Sequence, residues 1–163
     1  MVIGELAPKN FALAVPLAIV IGIFVLPLIG ELGLSDEDIF GALLLMFLLA
    51  GLSKFAGLDG TAGYIASKGL PMAQLLAFGT AALEVGGALL LIVGWKARWA
   101  ALALAAFTLL ASVLFHNYWA MPAEQQMMQQ LMFMKNLAVA GGLLVLFAFG
   151  PGSLSLDQRR VAA

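Results

Sequence analysis

The chain has 163 residues, of which 63% are hydrophobic and only 10% charged, with a net charge of −1 and a mean hydropathy of +1.05. A soluble domain of this size needs far more charge to cover its surface, and no basic excess suggests nucleic acid. The absence of cysteine removes disulfides, thiol redox chemistry and Cys-ligated metal or iron–sulfur sites.

What remains is a polytopic membrane protein. A hydrocarbon layer of about 30 Å needs roughly 20 apolar residues in helix. Five runs approach that length: Phe11 to Ile29, Ile39 to Phe55, Met72 to Gly94, Arg98 to His116 and Leu131 to Phe149. None shows the two-residue alternation of barrel strands, so the expected fold is an all-α transmembrane helical bundle. The first run follows Lys9 and has the flavour of a signal peptide. Its 19 apolar residues are long for one, and no A-x-A-like cleavage site follows, so it is expected to be retained. Pro16 and Pro27 allow it to kink or to lie partly in the interface.

Between the runs, ELGLSDED, AGLDGTAGYIASKGLP, WKA and NYWAMPAEQQMMQQ read as loops. Lys96 and Arg98 in the tight turn, with Arg159 and Arg160 in the tail, place that end and the C-terminus in the cytoplasm. Five spans then leave the N-terminus outside, at the cost of putting Lys9, Lys54 and Lys68 outside too. Trp95 and Trp99 at one boundary, and Tyr118 and Trp119 at the other, suit interfacial belts. Helix contacts are expected along Ala97, Ala101 and Ala105, and at the pairs Ala82/Gly86 and Ala138/Gly142.

Glu84 is the sharpest feature, since it stands near mid-membrane within QLLAFGTAALEVGGALLLIVG. Such a carboxyl must be neutral and hydrogen-bonded across helices, ion-paired, or turned to a polar cavity. Lys54 ends the second run, where it either snorkels to the headgroups or turns inward to Glu84. With Glu84 about 18 Å below the surface, a direct pair requires Lys54 to lie a turn or two deep, or water between them. His116 and Asn117 close the fourth run, and Lys135 and Asn136 lie about one turn inside the fifth. In the five-span arrangement all of these gather in the outer half of the bundle. They are expected to line the mouth of a polar pocket with Glu84 as its floor and the Met/Gln loop across it. Imidazole can exchange a proton near neutral pH, while Asn and Lys can hold a carbonyl oxygen. The methionines near His116 admit a soft-metal reading, but adaptable packing explains them as well, and no metal site is assigned.

The pieces GLSKFAG, GYIASKGLP, LEVGGALLLIVGWKARWAA, FHNYW, KNLAVAGGLL and GPGSLSLD occur in an order and spacing that resemble the DoxX family of small bacterial integral membrane proteins. The likeness covers about residues 40–157. It implies a DoxX-like four-helix membrane domain over 39–157, preceded by an additional N-terminal helix and loop at 1–38 and followed by a short tail at 158–163. It implies an inner-membrane location and places the family's polar positions on Lys54, Glu84, His116, Asn117, Trp119, Lys135 and Asn136. Relatives in this family include membrane subunits of an archaeal thiosulfate:quinone oxidoreductase and membrane partners of redox-stress enzymes. The resemblance therefore suggests a quinone-linked or redox-associated membrane subunit, with quinone as a ligand held without a cofactor motif of the chain's own. The competing expectation is a non-catalytic accessory subunit of a larger membrane complex. A solute or proton pathway ranks last, because no inverted repeat stands out. Whether the chain is an enzyme is left open by the residues.

Overall fold

The computed structural model describes residues 36–151 and 155–157. The first apolar run, its expected span, and Arg159 and Arg160 lie outside the described residues. Five α-helices follow one another: α1 (Asp36–Ala56), α2 (Leu58–Ser67), α3 (Ala73–Val93), α4 (Ala97–Phe115) and α5 (Ala123–Phe149). A 3-10 turn at Tyr118–Ala120 links the last two. The all-α membrane bundle is as expected. Helices α3, α4 and α5 are each long and apolar enough to cross a bilayer, and α1 with α2 qualifies as one broken span bent by 94°.

The break between α1 and α2 falls at Gly57, whose N–H donates to Ser53 O at 3.0 Å and Lys54 O at 3.2 Å. Helix α2 corrects the reading of AGLDGTAGYIASKGLP as a loop. Its glycines weaken helix propensity, but Leu58, Ala62 and Ile65 fall on one face. Ala62 and Ile65 are buried with Ala77 of α3, and Phe115 of α4 packs against them. Tertiary packing supplies what local propensity lacks. Gly69 (φ +75°) and Pro71 then end the helix.

The second correction concerns NYWAMPAEQQMMQQ, most of which is helical because α5 begins at Ala123 rather than near Leu131. Pro122 precedes the helix, Glu124 occupies its first turn, and the N–H groups of Gln125 and Gln126 donate to Pro122 O. Gln, Met and Ala are good helix formers. Hydropathy reports where oil begins, and a helix can begin well before it.

Helices α1, α3, α4 and α5 share one core of Leu44, Phe47, Ala88, Leu91, Leu104, Val139 and Leu143, packed with small residues. The ladder Ala97, Ala101 and Ala105 is fully buried, as expected. The other two expected pairs are displaced: Ala82 is exposed and Gly86 half-buried, and Ala138 and Gly142 are both exposed. On α3 the close contacts use Ala77, Ala81, Gly87 and Ala88 instead. A Cβ on Gly87 would lie 2.8 Å from Leu104 Cδ1. On α5 they use Val139, Ala140 and Leu143.

At the end of the bundle carrying Trp95 and Lys96, α3 stops in a paired-carbonyl cap on Gly94 (φ +69°). Gly94 N–H donates to Leu91 O and Trp95 N–H to Leu90 O. The C-terminal segment folds back on this turn. Asp157 accepts from the N–H groups of Lys96 and Ala97, both at 2.9 Å, so it caps α4 from 60 residues away. Asp157 N–H donates in turn to Gly94 O at 2.9 Å. Arg98 donates to Phe147 O and Ala148 O, each at 2.7 Å, and so closes the last turn of α5. Charge of the right sign thus meets each helix end. Helices α4 and α5 form a hairpin through the 3-10 turn.

Candidate functional site

Antiparallel contact between α1 and α3 begins with a missing side chain. A Cβ on Gly51 would lie 2.7 Å from Val85 Cγ2, 2.9 Å from Val85 N and 3.0 Å from Ala81 O. The two backbones therefore touch at this level. Lys54 follows three residues later on the same side of α1, and Glu84 belongs to the stretch of α3 that Gly51 faces.

The result is an ion pair, with Lys54 Nζ donating to Glu84 Oε2 at 2.7 Å. The side chains are 29% and 7% exposed, respectively. Depth is what makes this reach possible. Lys54 does not stand at the surface, because α2 turns across the bundle end and packs Ala62 and Ile65 onto Ala77, a full turn into α3. The condition under which a direct pair was expected, a lysine lying below the surface, is the one the bend creates.

Beside the pair lies a cavity of about 280 Å³ to which all five helices contribute. Its polar lining is Lys54, Glu84, His116, Lys135 and Asn136, together with Thr61, Tyr64, Thr80 and Thr108. Its apolar lining includes Met46, Phe47, Phe107, Phe115 and Val139. Five of the seven residues singled out from the sequence are brought together here. The other two are not. Trp119 is exposed and makes edge contacts with Tyr118 (5.2 Å) and Phe133 (5.6 Å). Asn117 does not line the cavity, and its Oδ1 is buried without a hydrogen-bond partner among the described residues.

His116 Nδ1 lies 2.8 Å from Gln129 Oε1. An amide oxygen only accepts, so this contact puts a proton on Nδ1 and leaves Nε2 for another partner. Gln129 belongs to the polar stretch NYWAMPAEQQMMQQ, whose hydropathy alone reads as a loop and gives no signal for it. In the structure it lies on the second turn of α5, level with the end of α4. Thr108 and Thr80 also escaped notice. Their hydroxyls donate to Leu104 O (2.7 Å) and Ala77 O (3.0 Å) on their own helices, so each presents acceptor lone pairs to the cavity. A small polar residue within an apolar helix was the available signal. Tyr64 packs against Phe115 at 5.4 Å, with Lys68 Nζ 5.7 Å from its ring centroid, and it is half exposed at the rim.

Lys135 stands twelve residues after the start of α5 and fourteen before Phe149, at mid-helix, and about one turn past Leu131, where the apolar stretch begins. It is six residues beyond Gln129, and therefore about 9 Å deeper than His116. The arrangement can hold a carbonyl or oxyanion, exchange a proton, and enclose a ring or chain segment in apolar walls.

The DoxX family profile matches residues 41–117, from α1 to just beyond the end of α4. The chain is 38% identical over 118 residues to the inner membrane protein YphA of Escherichia coli, covering 72% of this chain and 84% of that protein. It is 39% identical over 130 residues to the inner membrane protein YqjF of the same organism, covering 77% and 93%. A more distant likeness, 26% over 122 residues, joins it to a Surfeit locus protein 4 homolog of Schizosaccharomyces pombe, of which it spans 36%. No solved structure matches significantly. The aligned region contains the broken α1–α2 span, the Lys54–Glu84 pair and the His116 turn, and on these grounds the chain belongs to the DoxX family of integral membrane proteins.

Proposed function

We propose that this protein is a quinone-linked membrane subunit that receives a quinone headgroup in the cavity beside Glu84. The observation that carries this reading is the cavity itself. It holds about 280 Å³ between apolar walls, with an ion pair, an imidazole, an amide and a second ammonium facing it. That volume is at the small end for ligand sites, near roughly 300 Å³, and suits a single headgroup rather than a large cofactor. Reduction of a quinone to its quinol takes two electrons and two protons, one proton on each carbonyl oxygen. The electrons come from a partner protein. Lys54 and His116 in its imidazolium form pass the two protons, Glu84 holds the Lys54 ammonium in place, and Asn136 donates to a carbonyl.

The charge distribution supports an orientation in which Lys96, Arg98 and the C-terminus face the cytoplasm. Lys54 is taken up by Glu84, which leaves Lys68 as the one basic residue at the opposite end among the described residues outside the cavity. The cavity then opens toward the outer leaflet.

The test is ligand analysis of protein purified in native lipid, with short-chain quinone titrated into the emptied protein. Bound quinone that is lost in Glu84→Gln and in His116→Ala is the expected result. Equal quinone binding by wild type and both variants would sink the reading, as would no binding at all.

A further inference from the structure

The charges facing the cavity do not cancel. Lys54 and Glu84 neutralise one another at 2.7 Å. Lys135 faces the same space and has no hydrogen-bonding or ionic partner among the described residues. The nearest acid on its own helix is Glu124, eleven residues earlier and thus about 16 Å away along the axis. On the facing helices, the titratable groups at the cavity are Lys54, Glu84, Tyr64 and His116. Glu84 is already paired, and the rest carry no negative charge at neutral pH.

Lys135 is exposed while lining the cavity, and an ammonium within a membrane span is costly unless something of opposite charge joins it. We infer that the occupant of this cavity is an amphiphile with a single anionic oxygen group, which pairs with Lys135 while its apolar body lies against Phe47, Phe107 and Phe115. This inference rests on the reading of the cavity as a ligand site and specifies the ligand's charge. Two sources share that chemistry: the carboxylate of a single-chain fatty acid and the phenolate of an ionised hydroxyquinone or quinol. Asn136, adjacent to Lys135, offers an amide donor to the second carboxylate oxygen or to a ring carbonyl of the hydroxyquinone.

The experiment is calorimetric titration of the full chain in nonionic detergent with two matched pairs of probes. One pair is dodecanoate and its methyl ester. The other is an alkyl hydroxynaphthoquinone, ionised at neutral pH, and its methyl ether. The expected result is that at least one anionic probe binds roughly tenfold tighter than its uncharged partner, as suits a charge-assisted contact. Lys135→Met is expected to abolish that preference and Lys135→Arg to keep it. Which pair shows the preference identifies the source.

Lys135→Met replaces an unpaired charge with an apolar chain of similar length, so folding is not put at risk. Its ligand-free melting temperature is expected to equal or exceed that of the wild type. Equal affinity for charged and uncharged probes, or a preference that survives Lys135→Met, overturns the inference. Binding of neutral quinone alone overturns it while the proposed function stands. Binding of no probe overturns both.

Discussion

At the residue scale the decisive contact is Lys54 with Glu84. Sequence placed a carboxyl near mid-membrane and a lysine at a helix end, and it framed the correct alternatives for each. It did not choose between them, because depth depends on what lies above the lysine. Each partner alone in this environment is an uncompensated charge. Lys54→Met, which strands the carboxylate, is expected to cost about 3–5 kcal/mol. The double variant Lys54→Met with Glu84→Gln should cost clearly less than the sum of the two single changes. Reversible unfolding in mixed micelles reads the difference, and strictly additive costs would mean that the pair contributes no coupling. Trp119 and Asn117 show the converse limit. They adjoin His116 in the chain, yet the 3-10 turn carries Trp119 onto Phe133 and away from the cavity.

At the element scale, one glycine and one aspartate decide how the helices meet. Gly51 lets the backbones of α1 and α3 touch. Gly51→Val would have to drive them apart. Overpacking of this kind costs typically 1–3 kcal/mol, and here it also separates Lys54 from Glu84. A fall in melting temperature accompanied by lost ligand binding is the expected outcome, and intact binding would show that the pair does not depend on this contact. At the opposite end, Asp157 caps α4 and holds the α3–α4 turn. Asp157→Ala should cost about 1–2 kcal/mol, within the range of N-cap losses. Hydrogen exchange should rise at Lys96 and Ala97, and unchanged protection there would refute the assignment. The motif GPGSLSLD was visible as a family likeness, but its task was not. A cap supplied from 60 residues away leaves no local trace.

At the scale of the whole molecule, the bundle has two chemically distinct ends. One carries α2, the His116 turn and the start of α5. The other carries Trp95, Lys96, Arg98 and the returning C-terminal segment. The chain contains no cysteine, so single cysteines report access without further engineering. Substitutions Ala120→Cys and Lys96→Cys are expected to react with a membrane-impermeant maleimide from opposite sides, Ala120→Cys from outside. Labelling of both from one side would break the topology, and a reversed pattern would invert the orientation proposed above.

The sequence alone determined the solvent this protein lives in, its helical class and its family, along with most of the polar residues that meet in the cavity. Composition and apolar run length suffice for that, because oil forbids unpaired backbone and tolerates few charges. Tertiary structure decided the depth of Lys54, the mid-helix position of Lys135 and the exclusion of Trp119. Each of these depends on where a helix begins or bends. A bend at Gly57 and a start at Ala123 arise from packing and capping, to which hydropathy is blind.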